Sequence, residues 1–418
     1  MPPVATPPAA AEACSRLADT RPAALEVAER LDAAGLGSGS GLLCFLSFHH
    51  TAAFPEAMEM LRRTLAPASL LATTAAAVVA GPEEFEAQPA LAAIAIRIPG
   101  VEATPIRIAL DDGPLERWSH EAIRSRFGFT PDGVPPRAIV LIADPFGMPA
   151  AGALGTLARL HPRGPAIPVF GGIASGSSQI GGNLLAVNDR LDRTGLVGLA
   201  FHGPIEFSPL LSTAGRAIGR PMVVTDAQGP TIRSLGGLPA LEAAKEACER
   251  LDERERSCLQ GGLLLGIAAE ETGEGPGRND YLLRPIAAAH LARGELVLPE
   301  PVRPGRLVRF HLRDPQTATE DLELALDAAQ LGPPPLAAIT MISTARGRGF
   351  FGESSHDASR IFRRLGPLPM AGCFTGGEFA PGRLASHPHG HSVAAALLRP
   401  VASVTSPTAS PAPPHSAG

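Results

Sequence analysis

Two loops in the second half of the sequence carry residue types that could recognise a small charged molecule. The loop ARGRGFFG places Arg346 and Arg348 between glycines, directly after an apolar segment. A guanidinium fork beside open backbone N–H groups suits a carboxylate or a phosphate, and a plain turn with solvated arginines is the alternative. The loop TGGEF joins Gly376 and Gly377 to Glu378. The Glu378 carboxylate could accept a hydrogen bond from an amine, or it could be an exposed loop acid.

An earlier loop, FGGIASG, has a similar composition. Gly171 and Gly172 could bring the backbone close to a ligand, or they could permit tight packing. Ser175 could add a hydrogen bond from the same loop. Asn183, in the segment GGN that follows, completes this group of candidate ligand-binding residues.

Three histidines alternate in HPHGH, at His387, His389 and His391. A strand would place all three on one face. Because neither a cysteine nor a carboxylate stands nearby to complete a tetrahedral site, we expect no metal there. We expect a solvated loop that leads into a strand, and we keep His389 as a candidate ligand-binding residue.

The sequence offers no catalytic constellation. Ser355, His356 and Asp357 are consecutive, and consecutive side chains cannot face one another as a relay. We expect them to form the N-cap region of a helix. Lys245 is the only lysine and lies in a helical pattern, which excludes a phosphate-binding P-loop and disfavours Schiff-base chemistry. We therefore expect no enzymatic activity.

The elements that would position these loops recur three times. Residues 41–77, 138–176 and 337–382 each read as an apolar strand, a helical stretch, a second apolar run and a cluster of tiny residues. This is the length of a βαβ unit, whose ligand sites lie beyond the carboxyl ends of the strands. The first ending, LATTAAA, lacks glycines, so we expect it only to pack. The site hypothesis therefore rests on the second and third endings.

The rest of the chain predicts an α/β fold with some α+β character, built from tandem βαβ-containing domains with mixed sheets. A helix is expected over residues 16–34, and NLLAVND, GLVGLAFHG and FSPLLSTAG are expected to form a meander. A composition change at 215–222 predicts a domain boundary. The expected bounds are a disordered tail with the start of the first helix (1–22), a first domain (23–218), a second domain (219–400) and a disordered tail (401–418).

Composition limits the classes of partner. The 418 residues exceed what a single core usually supports. A net charge of −5 gives no basic footprint for nucleic acid. Five scattered cysteines without a CxxC pair fit a reducing compartment. With neither a secretory signal nor an apolar run long enough for a bilayer, we expect a cytoplasmic protein that binds neither nucleic acid nor membrane.

Several of these segments resemble the FIST domains. GGIASG with the following GGN and ND, then GLVGLAFHG and GRAIGRPMVVT, resemble the N-terminal FIST domain. RNDYLLRPI, FHLRD, ARGRGFFGESSHDA and GPLPMAGCFTGGEFAPG are similar to the C-terminal FIST domain, and the resemblance covers about residues 41–397. It departs where the family often has cysteines, since Thr73, Thr344 and Thr375 stand there. A role for a thiol is therefore not expected.

The resemblance implies a sensory, signal-transducing protein that binds a small ligand, such as an amino acid or a similar polar molecule, without catalysis. In this interpretation, a sensor of a small polar ligand, the resemblance implies no cofactor. Some bacterial members bind haem and sense nitric oxide, so a haem-based sensor is the first alternative and an enzyme is the second. The signal would pass to a separate partner, such as a histidine kinase.

Overall fold

The computed structural model describes residues 7–147, 150–160, 166–270, 277 and 280–401. The C-terminal tail expected beyond residue 401 and the first six residues lie outside this range. The described part of the expected N-terminal tail is not disordered, because residues 9–15 form a strand. The first helix begins at Thr20, after the N-cap Asp19, and not at residue 16 as expected. Within the described residues, no helix is both long enough and apolar enough to cross a bilayer.

The first unit precedes residue 100. Its elements are β1 (Ala9–Ser15), α1 (Thr20–Ala33), β2 (Gly41–Ser47), α2 (Phe54–Leu65), β3 (Ser69–Ala75), β4 (Ala77–Ala80), β5 (Glu83–Glu86) and β6 (Leu91–Arg97). The second unit comprises β7 (Glu102–Ile108), α3 (His120–Arg126), β8 (Ala138–Ala143), α4 (Ala150–Ala158), β9 (Val169–Ile173), β10 (Leu185–Val187), β11 (Arg190–Asp192) and β12 (Leu196–His202).

The third unit starts with β13 (Ile205–Thr213) and is then interrupted by an insertion. The insertion comprises β14 (Gly215–Gln228), β15 (Thr231–Leu235), β16 (Leu238–Pro239), α5 (Ala240–Glu249), α6 (Glu253–Cys258), β17 (Leu263–Ala268), β18 (Tyr281–Pro285), β19 (Ala288–His290), β20 (Glu295–Val297) and β21 (Leu307–Arg313). The unit resumes with α7 (Pro315–Ala329), β22 (Ala337–Ser343), α8 (Arg348–Phe351), α9 (His356–Leu365), β23 (Met370–Thr375), β24 (Glu378–Pro381), β25 (Ser386–His389) and β26 (Ser392–Pro400).

The three units build three six-stranded sheets of one design. The strand orders are β1-β6-β2-β3-β10-β11, β7-β12-β8-β9-β24-β25 and β13-β26-β22-β23-β4-β5. In each sheet the two strands of the βαβ repeat are parallel, and all other described pairs are antiparallel. Each unit donates the hairpin after its repeat to another unit's sheet, so the three exchange hairpins cyclically. This confirms the predicted α/β class with mixed sheets.

The core follows from this exchange. Alternate side chains of a strand face opposite sides of its sheet. On β2, Leu43 and Phe45 enter a central core to which all three sheets contribute, whereas Leu42, Cys44 and Leu46 pack against α1 and α2. The second and third sheets are covered in the same way by α3 with α4 and by α7 with α9. A separate core lies under the eight-stranded sheet of the insertion.

Two sequence expectations fail because of this topology. The expected meander is wrong, since β10, β12 and β13 lie in three different sheets. The composition change at 215–222 lies inside β14 rather than in a linker. Pro221 and its neighbours interrupt the pairing of β14 with β21 between Ile218 and Met222, which is a bulge in a continuous strand. Beyond it, the helical pattern that contains Lys245 forms α5, and the separate helix α6 follows.

Candidate functional site

The endings of the three repeats meet one another. The Ser175 hydroxyl accepts a hydrogen bond from the Ala76 N–H (3.0 Å) and donates one to the Phe374 carbonyl (2.6 Å). Ile173 and the glycine pair of the third ending exchange two backbone bonds, from Ile173 to Gly377 (2.8 Å) and from Gly376 to Ile173 (2.9 Å). The Ser175 hydroxyl and these backbone groups are therefore occupied in holding the units together.

The glycines at these endings permit close packing of strands. A Cβ on Gly171 would lie 2.0 Å from the Leu141 carbonyl oxygen, and one on Gly172 would lie 2.7 Å from the Gly377 carbonyl oxygen. Gly171 also has a φ of +119°, a conformation that side-chain-bearing residues rarely adopt. In the third unit, a Cβ on Gly372 would lie 1.7 Å from the Thr340 carbonyl oxygen. Packing thus explains the glycines that the sequence offered as a ligand cradle.

A cavity of about 640 Å³ opens where the second unit, the third unit and the insertion meet, and we call it the junction cavity. It lies beyond the carboxyl ends of β8, β9, β22 and β23, as expected for ligand sites in βαβ sheets. Its volume is within the usual range for small-molecule sites. The lining residues are Asp144, Pro145, Phe146, Ala150, Ala151, Ile173, Leu283, Arg284, Pro285, Pro299, Glu300, Ser343, Thr344, Ala345, Gly376, Gly377, Pro388, His389, Gly390 and His391.

Three of the predicted site residues line this cavity, namely Gly376, Gly377 and His389. Others lie elsewhere: Asn183 is fully buried and exchanges two hydrogen bonds with the backbone of Ser177. Arg348 is exposed at the start of α8, and its backbone N–H donates to Glu86 (2.9 Å). The proposed ligand roles of the remaining residues stay predictions.

Arg346 belongs to a buried ion pair behind the cavity. Its Nε and Nη2 atoms donate to the two Asp357 carboxylate oxygens at 2.6 and 2.7 Å, and neither side chain is exposed. Burial alone would raise the pKa of Asp357, but the Arg346 charge and hydrogen bonds hold it well below its usual range. Arg346 also donates to the carbonyl of His391 (3.5 Å), a residue of the cavity wall. The guanidinium fork is therefore occupied by a protein carboxylate.

The expected N-cap region is confirmed, since Ser355 is the N-cap residue of α9, but the capping hydrogen bonds are made by a carboxylate from another unit. Ser355 has a left-handed φ of 58° and makes no side-chain cap bond. Glu84 of β5 instead accepts from the backbone N–H groups of Asp357 and Ala358, each at 2.9 Å. The Ser355 hydroxyl accepts in return from the Glu84 N–H. Burial, followed by the nearby Asp357 charge, raises the pKa of Glu84 to about 8.

Glu378 is fully buried and its carboxylate is held by hydroxyl groups. Thr375 donates to one oxygen at 2.8 Å, and Ser392 donates to the other at 2.5 Å. Burial raises the pKa of Glu378 to about 7, although these hydrogen bonds act in the opposite direction. An amine would have to displace two hydroxyl groups to reach this carboxylate.

The expectation that HPHGH is a solvated loop is wrong. His387 and His389 lie in β25, and His389 is only 5% exposed. Burial lowers the pKa of His389 to about 3 and that of His391 to about 4, so both imidazoles are neutral at pH 7. The Nδ1 atoms of His389 and His391 have no hydrogen-bond partner in the described part of the chain. Both residues line the junction cavity.

Three charged residues of the cavity wall were missed by sequence reasoning. Asp144 follows β8 and is 1% exposed; its Oδ2 accepts from the backbone N–H groups of Phe146 (3.0 Å) and Gly147 (2.9 Å). Its Oδ1 has no partner among the described residues. Arg284 and Glu300 come from the insertion. A signal existed for Asp144, since it ends the apolar run AIVLIA at a carboxyl strand end, whereas nothing in the sequence brings the insertion to this place.

Another groove, of about 700 Å³, lies between α2 and the β10–β11 hairpin. Its charged side chains, among them Arg62, Asp189 and Arg190, are exposed to solvent. None of the buried side-chain atoms that lack partners belongs to its described lining. Within the described residues, no cluster of three or more His, Cys, Asp or Glu side chains could hold a metal ion. The junction cavity is therefore the stronger candidate.

Fold and cavity together define an α/β protein of three interlocked units, with a ligand-sized cavity at the strand ends. Comparison with known families gives the particular family. The FIST N domain matches residues 41–238 and the FIST C domain matches residues 240–381, so this chain belongs to the FIST family. FIST domains are associated with sensory signal transduction and small-ligand binding. The boundary between these matches lies about 20 residues beyond the one expected from composition.

Similar proteins occur in mycobacteria. "Uncharacterized protein Rv0628c" of Mycobacterium tuberculosis is 31% identical over 385 residues, which cover 91% of this chain and 97% of that protein. "Uncharacterized protein Mb0898c" of Mycobacterium bovis is 31% identical over 376 residues, which cover 88% and 94% of the two chains. These names state no ligand or activity.

Proposed function

We propose that this protein is a non-catalytic sensor that binds a small polar ligand, such as an amino acid, in the junction cavity. One observation carries the proposal. Asp144 Oδ1, His389 Nδ1 and His391 Nδ1 are buried, lack partners among the described residues, and belong to residues that line this cavity. His389 also lines a smaller cavity of about 250 Å³ beside His387. Buried polar atoms are normally hydrogen-bonded. A ligand that forms hydrogen bonds with Asp144 Oδ1 and the two Nδ1 atoms would explain why all three lie around the junction cavity.

The rest of the wall is suited to such a ligand. Pro145, Phe146 and Leu283 provide apolar surface, and Phe146 is 43% exposed. Small-molecule sites typically combine apolar walls with a few well-placed polar groups. The described residues of the wall include no nucleophile paired with a base, so binding is favoured over turnover. The bound state would be read by a separate signalling partner, such as a histidine kinase.

The proposal is tested by titrating the purified full chain with a panel of amino acids, amines and carboxylates. A ligand that binds only the folded state raises the midpoint of thermal unfolding. Ala151→Phe would fill the junction cavity, and Ala68→Phe would fill the groove beside α2. We expect the shift to vanish in Ala151→Phe and to persist in Ala68→Phe. The opposite pattern would locate the ligand in the other groove and contradict the proposal.

Haem is the second candidate ligand. It is favoured by the neutral imidazoles of His389 and His391 in the cavity wall, because the neutral form is the one that ligates iron. One of these two residues would hold it. A Soret band after titration with haemin, lost in His391→Ala or His389→Ala, would support this candidate. Absence of the band from the wild-type protein at saturating haemin would exclude it.

A further inference from the structure

We propose that the junction cavity recognises its ligand by a cationic amine, and that Asp144 is the residue that binds the ammonium group. This inference rests on the proposed function, because it assumes that the cavity is occupied by a small molecule. It goes further by assigning the group that is recognised and the residue responsible. It also predicts that the carboxylate of an amino acid is dispensable.

The Asp144 carboxylate is held in a fixed orientation with one oxygen left over for a ligand. One oxygen is fixed by the backbone N–H groups of Phe146 and Gly147, which sets the orientation of the side chain. The other oxygen is buried and has no partner among the described residues, although Asp144 lines a cavity of about 640 Å³. An unpaired buried carboxylate oxygen is costly. An ammonium donor would form a short, charge-assisted hydrogen bond with it.

The cationic side chain of the wall, Arg284, is already paired with a carboxylate. Arg284 donates from Nε to Glu300 (2.6 Å), from Nη1 to the Leu283 carbonyl (3.1 Å) and from Nη2 to the Pro388 carbonyl (3.0 Å). Arg346 lies behind the wall, in its pair with Asp357. The bonds of Arg284 use three of its five guanidinium N–H groups, and Glu300 already offsets its charge, so a ligand carboxylate would have to share Arg284 with Glu300.

The charged residues of the wall, taken together, favour a cation. Its described charged residues are Asp144 and Glu300 against Arg284, two carboxylates against one guanidinium. His389 and His391 are neutral at pH 7 and add no positive charge. Each neutral imidazole has one acceptor nitrogen and one donor nitrogen. The wall therefore complements a ligand with one positive charge and an apolar body packed against Pro145 and Leu283.

A matched series of ligands tests the inference on the wild-type chain: 3-methylbutylamine, leucine and 4-methylpentanoate. They share a branched alkyl body and carry the amine alone, both groups, or the carboxylate alone. By isothermal titration calorimetry we expect the amine and leucine to bind with Kd values within tenfold of each other. We expect the carboxylate to bind at least tenfold more weakly than the amine.

Asp144→Asn is the decisive variant, since its amide oxygen can still accept from Phe146 and Gly147 while the charge is lost. We expect at least a tenfold loss of amine affinity. Asp189→Asn, an exposed change in the groove beside α2, is the control and should bind as the wild type does. Circular dichroism checks that both variants fold. If Asp144→Asn does not fold, the wild-type selectivity series still decides.

The outcomes separate the two proposals. If 4-methylpentanoate binds as tightly as the amine, or if folded Asp144→Asn keeps wild-type amine affinity, the amine inference is overturned and the ligand-binding function stands. If no compound of the wider amino-acid, amine and carboxylate panel binds the wild-type chain, the proposed function fails and the inference fails with it.

Discussion

The buried Arg346–Asp357 pair gives the sharpest test of how this fold is held together. Both side chains are 0% exposed and joined by two hydrogen bonds of 2.6 and 2.7 Å. Two unit charges about 4 Å apart interact by about 4 kcal/mol at an effective dielectric constant near 20. Removal of one partner leaves the other charge buried, which typically costs about 3–5 kcal/mol. We expect Arg346→Met to lower the free energy of unfolding by that amount.

The control is a pair with the same geometry at the surface. Arg107 donates to Asp192 at 2.8 and 2.7 Å, but the Arg107 side chain is 45% exposed. Solvent screens such a pair, so Arg107→Met should cost no more than about 1 kcal/mol.

The assay is urea unfolding at pH 7 followed by far-ultraviolet circular dichroism. In the double variant Arg346→Met/Asp357→Asn no charge is left unpaired, so its loss should be at least about 2 kcal/mol smaller than the sum of the two single losses. If the single losses add, or if Arg346→Met costs no more than Arg107→Met, the reasoning is refuted. Arg346 would then be available for the ligand role that its sequence context suggested.

Two further predictions concern pH and packing. The pKa of Glu84 is about 8 in the folded protein, against an ordinary value of 4.5 in the unfolded chain. The folded state therefore binds this proton more tightly, and the stability that the proton contributes is complete below pH 4.5 and is lost as the pH rises to 8. Between pH 5 and pH 8 the wild type should therefore lose roughly 1–3 kcal/mol of unfolding free energy relative to Glu84→Gln, which has no carboxyl group at this position. A difference in unfolding free energy between the two proteins that does not change with pH would contradict this. Gly372→Ala places a Cβ 1.7 Å from the Thr340 oxygen and should lower the free energy of unfolding by about 1–3 kcal/mol or more. Gly349→Ala, with no atom within 4 Å of the added Cβ, should change that free energy by no more than about 0.5 kcal/mol. Equal effects of the two substitutions in urea unfolding would disprove the packing role.

The repeats were predictable from sequence because each places two apolar strands and a helix at fixed separations. Their meaning was only partly predictable. Gly171 and Gly172 read equally well as a ligand cradle or as packing residues, and a single sequence cannot show that Leu141 and Gly377 stand against them. Likewise, the Arg346 fork suits any carboxylate, and only the folded chain shows that Asp357, 11 residues later, is the carboxylate it binds.

The topology was less predictable for a physical reason. Periodicity identifies a strand from its own residues, but strand pairing depends on contacts far along the chain. The β24 strand pairs with β9, and β4 pairs with β23, across separations of about 200 and 290 residues. Neighbouring strands in sequence therefore lie in different sheets, and the expected meander could not be recognised as wrong. Asp144 had a local signal at the end of an apolar strand, but the cavity that makes it a candidate is lined by segments distant in the sequence.

The insertion supplies charged and apolar side chains to the junction between the second and third units. It leaves the third unit after β13 and returns before β22, and in between it supplies Leu283, Arg284 and Glu300 to the junction cavity. Arg284 fixes this wall to Pro388 of the third unit. A ligand in the cavity would contact both sides and favour their closed arrangement by its difference in affinity for the closed and open states. We therefore expect an amine ligand to slow backbone hydrogen exchange in β18, which carries Arg284. The central strand β2 reports global stability, so protection that rises equally in β2 and β18 would show general stabilisation and contradict local closure of the insertion.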